Sequence, residues 1–468
     1  MQPVRITIMA DGDERTVGVK MLTGDYKKAT RYLAVPITVA LAIQQINVIV
    51  DTFWVAGLGA GPMAAISIVY PLFAMIMGIG SGLGIGASSA IARSIGRGDR
   101  RGAEVKAGQA FLLSALVSVV LTPILLVIMS PAVRLLGGEP VHDLCTAYAF
   151  PLYLSAFVII LNGIVTGIIR GEGDGKRSMY IQVISAAVNI IADPILIYGL
   201  DMGVAGAAWA TVIAFASSIL VALYWYFVKK DMYLKIRRSD FRYSKKEMKS
   251  VLRVGFPEAT ELSVMNFFNI FLNYMVIVVA GTVGVALYST SWRIIYLLII
   301  PAQAVGGAMV SVCAAQMGAG RVSDVRKTFG YGIMRSVQIL LLLSVLMFVI
   351  ADPVSSLFTY EEGLAGQRAK LARMIRIFCF FVPPMTLVYI GSSLLQALEK
   401  AGIAFVSSLL RNLLLVFLFA LMTYTIATPD SLWFILIVGE YIGGAMMLGL
   451  ALWKLKEYER KENISGTL

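Results

Sequence analysis

Two aspartates stand where aspartate is expensive. Asp51 and Asp193 lie inside long apolar stretches. A carboxylate carried into a membrane costs several kcal/mol on insertion scales, so such residues are rare and mark ion pathways, proton relays or paired charges. At about 1.5 Å per helical residue, Asp51 falls about 9 Å below the outer end of its segment and Asp193 about 10 Å below the end of its own. Thr211, on the returning segment, falls about 12 Å down, which gives three polar groups at one depth. Asn189 and Asp193 are spaced i, i+4, and Gln44, Asn47 and Asp51 are spaced three and four apart, so each set shares a helical face. Pro194 directly follows Asp193. A proline there removes one backbone hydrogen bond and crowds the Ile190 carbonyl, which leaves oxygens free beside the acid. Two chemistries fit these residue types. Burial favours an uncharged carboxyl, so either acid suits proton binding and release. The two carboxyls, Asn189, Thr211 and backbone carbonyls equally suit a sodium ion. The structural alternative is a carboxyl satisfied by Asn or Thr as a helix–helix contact. With two acids converging and no cation nearby in sequence, a coupling site for H+ or Na+ is the expectation.

The elements that must position these residues are membrane spans. The chain has 468 residues, 58% hydrophobic and 15% charged, with mean hydropathy +0.79. A soluble chain has about 25% charged residues. Apolar stretches of about 20 residues or more recur from Lys28 onward, each long enough to cross a bilayer core of about 30 Å. The expected spans are 30–57, 63–95, 105–129, 144–169, 178–200, 203–228, 250–280, 285–317, 328–350, 370–396, 402–426 and 431–456. They predict an all-α membrane protein of twelve transmembrane helices.

The net charge of +12 raises nucleic acid as a partner, but its distribution points elsewhere. Alternate loops collect the cations: Arg97, Arg100 and Arg101; Arg170, Lys176 and Arg177; Arg321, Arg326 and Lys327; Lys400; the segment Lys229–Lys249; and the tail Lys454–Lys461. The other loops hold Arg134 and then only Arg368 and Lys370, near Glu361 and Glu362. This is the positive-inside bias, and it puts both termini in the cytoplasm of a plasma-membrane protein. Residues 1–28 lack the basic-then-apolar pattern of a cleaved signal and are expected to stay cytoplasmic.

The chain also repeats itself. "YLAVP" ending at Pro36 matches "RVGFP" ending at Pro257; "SSAIARSIG" ending at Gly96 matches "SVCAAQMG" ending at Gly318; the stretch around Pro131 matches that around Pro353. The offset stays near 222 residues. Three matches in one order point to duplication. With six spans per half, both copies enter from the same side, a parallel repeat with a pseudo-two-fold axis along the membrane normal. The domain reading is a cytoplasmic segment 1–28, an N-lobe 29–228, a linker 229–249, a C-lobe 250–456 and a tail 457–468. Repeats of this kind bind their substrate at the interface and work by alternating access.

The second half carries different polar residues. Arg293 and Glu440, expected about 12 and 13 Å below the outer face, are placed to pair. Glu258 and Glu261 fall near the level of Arg335 and Arg411. These six read as gating or structural ion pairs. Asn266, Asn269 and Asn273 share a face that is expected to border the cavity. The glycines at 78, 80, 82, 84 and 86 lack dinucleotide-loop spacing and read as a close-packing stripe. "GEGDGKRS" at 171–178 falls short of a phosphate loop by one residue and reads as a turn between helices. Cys145, Cys313 and Cys379 are scattered and His142 is alone, which disfavours a His/Cys metal site or a disulfide framework.

"VDTFWVAGLGAGPMAAISIVYP" (50–71) and "NIIADPILIYGLDMGVAGAAWAT" (189–211) resemble the multidrug and toxic compound extrusion (MATE) family, particularly its DinF-like prokaryotic branch. The resemblance covers nearly the whole chain. It implies two six-helix lobes around a V-shaped cavity, and export of cationic or amphipathic compounds in exchange for H+ or Na+. Asp51, Asn189, Asp193 and Thr211 match that family's N-lobe cation site, with Gln44, Asn47 and Pro194 as accessory positions. Helix 7 departs from the branch that carries C-lobe acidic ligands, because neutral residues stand around Met265 and Asn266. Coupling through the N-lobe alone is then expected. The expected partners are small-molecule substrates and membrane lipids, with no cofactor and no nucleic acid, in a monomer. The alternatives are a lipid-linked oligosaccharide flippase of the same superfamily, or a channel or receptor with a structural ion site. An enzyme is disfavoured, since no catalytic constellation faces one membrane surface.

Overall fold

A computed structural model describes residues 15–358, 366–425 and 429–465. Residues 1–14, the tail from 466, and Glu361 and Glu362 lie outside the described residues. Within them the fold is helical, without strands. A short α1 (Val17–Thr23) precedes α2 (Tyr26–Ala56), α3 (Ala60–Gly96) and α4 (Arg100–Leu135). Next come the bent pair α5 (His142–Leu154) and α6 (Ala156–Gly171), then α7 (Gly175–Pro194) and α8 (Gly203–Leu223). The second half holds α9 (Lys245–Gly281), α10 (Val283–Gly318) and α11 (Val322–Val349), with α12 (Ala351–Phe358) behind it. The bent pair α13 (Arg368–Cys379) and α14 (Val382–Ala397) leads to α15 (Ala401–Thr425) and α16 (Pro429–Ser465). Ten helices are long and apolar enough to span a membrane, and twelve spans result when each bent pair counts as one. The outward faces of these helices are apolar: Phe53, Val119, Val127 and Phe417 are all largely exposed, as a lipid-facing belt requires.

The repeat is visible in the backbone. Gly59 and Gly281 both adopt positive φ, at 101° and 65°, and each stands at the junction between the first two spanning helices of its half. Gly98 and Gly320 do the same one helix later, at 76° and 71°. Left-handed backbone suits glycine because it has no Cβ to clash. The phosphate-loop-like segment is such a turn: Gly173 takes φ 80° and the Asp174 side chain caps α7 by accepting from the Arg177 amide at 3.0 Å.

Glycine also sets how close the helices come. Gly80 and Gly84 lay α3 against α6, where Gly163 and Gly167 answer them, so both helices meet backbone to backbone. Gly82 and Gly86 lie on the other face of α3 and meet Ala259, Gly255 and the Val251 carbonyl of α9. A Cβ at any of these four α3 positions falls inside van der Waals contact of neighbouring backbone. One stripe thus builds the N-lobe and joins it to the C-lobe. Further along, Gly96 sits on the Ala315 carbonyl and Gly318 on the Arg93 carbonyl. Each contact is the other's counterpart under the repeat, as a two-fold axis between α3 and α10 demands.

These interlobe contacts gather at the end of the bundle that carries α1 and the connection between halves, here the basic end. Ser88 and Ser311 hydroxyls meet at 2.8 Å. Arg93 donates to the Ala397 carbonyl and pairs with Glu399 at 3.2 Å. One buried apolar core runs through the N-lobe into this end of the C-lobe, including Ala304–Ala315 and Leu394–Leu398. A second core, around Ile295, Ile375, Phe378 and Trp433, belongs to the C-lobe alone.

Two peripheral segments are more ordered than their composition predicts. The linker does not hang free. Gln109, fully buried on α4, donates to the Asp240 and Arg242 carbonyls and accepts from the Ser244 amide, all at 2.9 Å. Glu172 accepts from the Tyr226 hydroxyl and from the Tyr233 amide at 3.1 Å. The linker is therefore bound to the N-lobe, and α9 already begins at Lys245. In the N-terminal segment, α1 buries Val19 and Leu22, rests on Gly173, and accepts from Arg321 through the Thr23 carbonyl at 3.0 Å.

Candidate functional site

The N-lobe polar cluster is a chain of side chains across two helices. Asn47 on α2 donates to Asn189 Oδ1 on α7 at 2.7 Å, and Asn189 Nδ2 donates to Asp193 Oδ1 at 3.2 Å. Asp193 is fully buried. Three buried oxygens here have no hydrogen-bond partner among the described residues: Asn47 Oδ1, Asp51 Oδ1 and Asp193 Oδ2. The two carboxyls lie within electrostatic reach of each other, and of the buried Tyr148. Among the described residues no ion pair involves Asp51 or Asp193; those of the N-lobe join other residues. Buried polar groups left unpaired cost more than paired ones return. Unpaired buried oxygens within electrostatic reach of one another suit a small cation or a proton shared between acids.

The neighbouring backbone is shaped by the same motif. Pro194 closes the regular part of α7, which continues as a wider π-helical turn from Ile195 to Gly199. Asp201 and Gly203 then take positive φ to reverse the chain, and Gly206 lets α8 lie on the Leu196 backbone. Tyr198, on the π turn, donates its hydroxyl to the Trp54 carbonyl at 2.5 Å, and the two rings meet edge to face at 6.2 Å. This aromatic clasp over the cluster was not foreseen; the signal for it was the position of Trp54 and Tyr198, one turn beyond Asp51 and Asp193 respectively.

The other expected ligands are placed differently. Thr211 donates to the Ala207 carbonyl of its own helix at 3.1 Å and joins no bond of the cluster among the described residues. Gln44 faces a separate cavity between the lobes. That cavity measures about 490 Å³ and is lined from both halves by α2, α3, α6, α9, α10, α14 and α15, among others. Asp51, Asn189 and Asp193 are not among its lining residues. Its C-lobe wall is aromatic, with Tyr288, Trp292, Tyr296, Phe381 and Tyr389.

The pairing of Arg293 with Glu440 is corrected. Glu440 binds Arg411 at 3.1 Å, with both side chains buried, and Arg293 is exposed. Depth alone suggested the first pair; rotation about the helix axis turns Arg293 away from the interface. Arg335 is also exposed, donates to Gln338 at 3.0 Å and lies over Tyr331, apart from the glutamates of α9. Glu258 accepts from Gln396, and Glu261 accepts from Ser408 at 2.6 Å with its other oxygen unpaired. Glu258, Glu261, Arg411 and Glu440 all line the cavity. Asn269 lines it too, whereas Asn266 donates to the Leu262 carbonyl of its own helix. Among the described residues no three His, Cys, Asp or Glu side chains group as a metal site.

Two related helical halves around a central cavity, with a separate buried polar cluster in one of them, define a membrane transporter. The MatE family model matches residues 36–195 and again 257–422, once per half. The chain belongs to the MATE family. It is 25% identical over 428 residues to the multidrug export protein MepA of Staphylococcus aureus strain MRSA252, covering 90% of this chain and 92% of that one. It is likewise 25% identical over 418 residues to an FAD transporter of Shewanella oneidensis, covering 86% and 85%. Among solved structures it is similar to a MATE protein in complex with MaL6, with TM-score 0.92 and 31% identity over 95% of this chain and all of that one. A multidrug resistance MATE transporter in an outward-facing conformation gives TM-score 0.91 and 32% identity, covering 95% and 99%.

Proposed function

We propose that this chain is a secondary active exporter of cationic or amphipathic small molecules, driven by H+ or Na+ entering through the N-lobe cluster. The observation that carries the reading is the Asn47–Asn189–Asp193 chain, with its unpaired buried oxygens and, among the described residues, no ion pair to either acid. The cavity supports the substrate class. Of its two guanidiniums, Arg411 is paired with Glu440 and Arg170 donates to Ser178, while Glu258 and Glu261 line the same cavity as its aromatic side chains. Carboxyls and aromatic faces both attract organic cations.

Coupling follows from α2, which serves both places. Ile37, Leu41 and Gln44 line the cavity, while Asn47 and Asp51 belong to the cluster two turns further on. An ion or proton taken up by Asp51 and Asp193 changes what Asn47 and Asn189 hold, and so moves the α2 wall of the cavity. Pro36, inside α2, lets the helix flex at its other end. In the state described here the lobes touch at the basic end, and the positive-inside bias supports a cytoplasmic position for that end and for both termini in the cell membrane. Release of substrate then precedes ion entry from the opposite side, and alternation needs the interlobe contacts at the basic end to part.

The test is efflux of a fluorescent organic cation from proteoliposomes, driven separately by a pH gradient and by a sodium gradient. One of the two gradients is expected to drive uphill transport. Transport that responds to neither overturns the reading.

A further inference from the structure

A groove at the basic end stands apart from both the cavity and the cluster. It is open, measures about 650 Å³, and is lined by Lys246, Lys249, Ser250, Arg253, Phe256 and Glu399, together with Leu252. Lys246, Lys249 and Arg253 are exposed and follow one another at i, i+3 and i+7, so they share a face of α9. Several cations at this end already have acids: Lys106 binds Glu247, Arg177 binds Asp231, Arg326 binds Glu459. Lys246 and Lys249 have no acidic partner among the described residues, and the acid of Arg253, Glu399, is shared with Arg93. The groove therefore keeps an unbalanced positive charge. Phe256, 65% exposed, continues the same side of α9, about 10 Å from Lys249 along the axis. That is the step from headgroup level into the acyl layer of a bilayer.

We infer that this groove binds the phosphate headgroup of an anionic phospholipid of the surrounding membrane, with its acyl chain lying over Phe256. The two unpaired lysines meet the phosphate, and Arg253 stands behind them. Basic pockets at the cytoplasmic ends of membrane helices recognise such headgroups. The site touches the junction between lobes, because Glu399 joins Arg253 of α9 to Arg93 of α3. A bound lipid thus sits against a contact that must open during transport.

The test uses the purified full-length protein, titrated with phosphatidylglycerol and separately with phosphatidylcholine, and read by native mass spectrometry. Phosphatidylglycerol is expected to bind in preference. Lys246→Gln/Lys249→Gln is expected to weaken it roughly 30-fold, the loss for two cations at an anionic surface. Arg326→Gln/Lys327→Gln, which removes two charges that already have acids, is expected to leave binding unchanged. Phe256→Ala keeps every charge and is expected to weaken binding severalfold, with thermal unfolding checking that each variant is folded. Millimolar inorganic phosphate is expected not to displace the lipid. Equal binding by wild type and Lys246→Gln/Lys249→Gln, equal loss in the control variant, or displacement by phosphate overturns the proposal.

Discussion

Asn189 joins two helices through one amide: it accepts from Asn47 and donates to Asp193. Interhelical hydrogen bonds in membranes average about 0.6 kcal/mol, so Asn189→Ala should cost only about 1 kcal/mol of stability if bonding were all it did. The coupling role predicts more: at least a tenfold loss of gradient-driven efflux with a small fall in melting temperature. A thermal melt and a transport assay on the same preparation separate the two, since a mere helix contact would lose stability and keep transport. At this scale the sequence was informative about faces and weak about rotation. Spacing placed Asn47, Asp51, Asn189 and Asp193 on two faces, and three of them are linked by hydrogen bonds. Depth placed Thr211 and Arg293 as well, but depth is one coordinate of three. Thr211 bonds back to its own helix and Arg293 turns outward, because the angle of a helix about its axis is set by packing against neighbours that a single segment does not display.

Helix α3 shows what a glycine every second residue achieves. Gly80 and Gly84 face α6, Gly82 and Gly86 face α9, and one turn beyond Gly84 the Ser88 hydroxyl reaches Ser311 of α10. The stripe was legible as a close-packing device, but not as two interleaved faces, because the partners, Gly163 on one face and Ala259 on the other, lie far away in sequence. Contacts within and between lobes predict different phenotypes. Gly84→Leu overpacks the inside of the N-lobe and should cost about 1–3 kcal/mol, read as a lowered melting temperature. A crosslink across the interlobe contact of Ser88 should instead trap the lobes together. With the three native cysteines replaced, Ser88→Cys/Ser311→Cys is expected to form a disulfide under mild oxidation and to stop transport until it is reduced. Full transport by the oxidised pair would show that these helices never part.

For the whole molecule, the duplication was readable from three matched segments, and the paired glycine turns and the reciprocal Gly96 and Gly318 contacts are its three-dimensional form. The segment between halves was less readable. It reads in sequence only as a linker, whereas its backbone is held by buried side chains of the N-lobe, Gln109 and Glu172 above all. Polar groups separated by tens of residues left no periodic signal for that docking. Glu172 gives it a pH dependence. Burial pushes this carboxyl up to about 8 from an ordinary 4.5, against the donors that hold it. A group whose folded value is raised contributes stability that is full below the unfolded value and is lost as pH rises through the folded one. The linker should therefore be held best below about pH 4.5, lose protection from protease progressively as pH rises from there to about 8, and change little above that. Glu172→Gln, uncharged throughout, should flatten that profile; an unchanged profile in the variant would assign the pH effect elsewhere. Both halves form the cavity, and the proposed function gives ion uptake to one of them. The central claim is that Asp193 carries the coupling. Its most direct measurement is uphill efflux of a fluorescent cation by wild type and Asp193→Asn in liposomes, under whichever gradient drives the wild type. The account predicts that the folded, membrane-inserted variant loses uphill efflux altogether; efflux at the wild-type rate would contradict it.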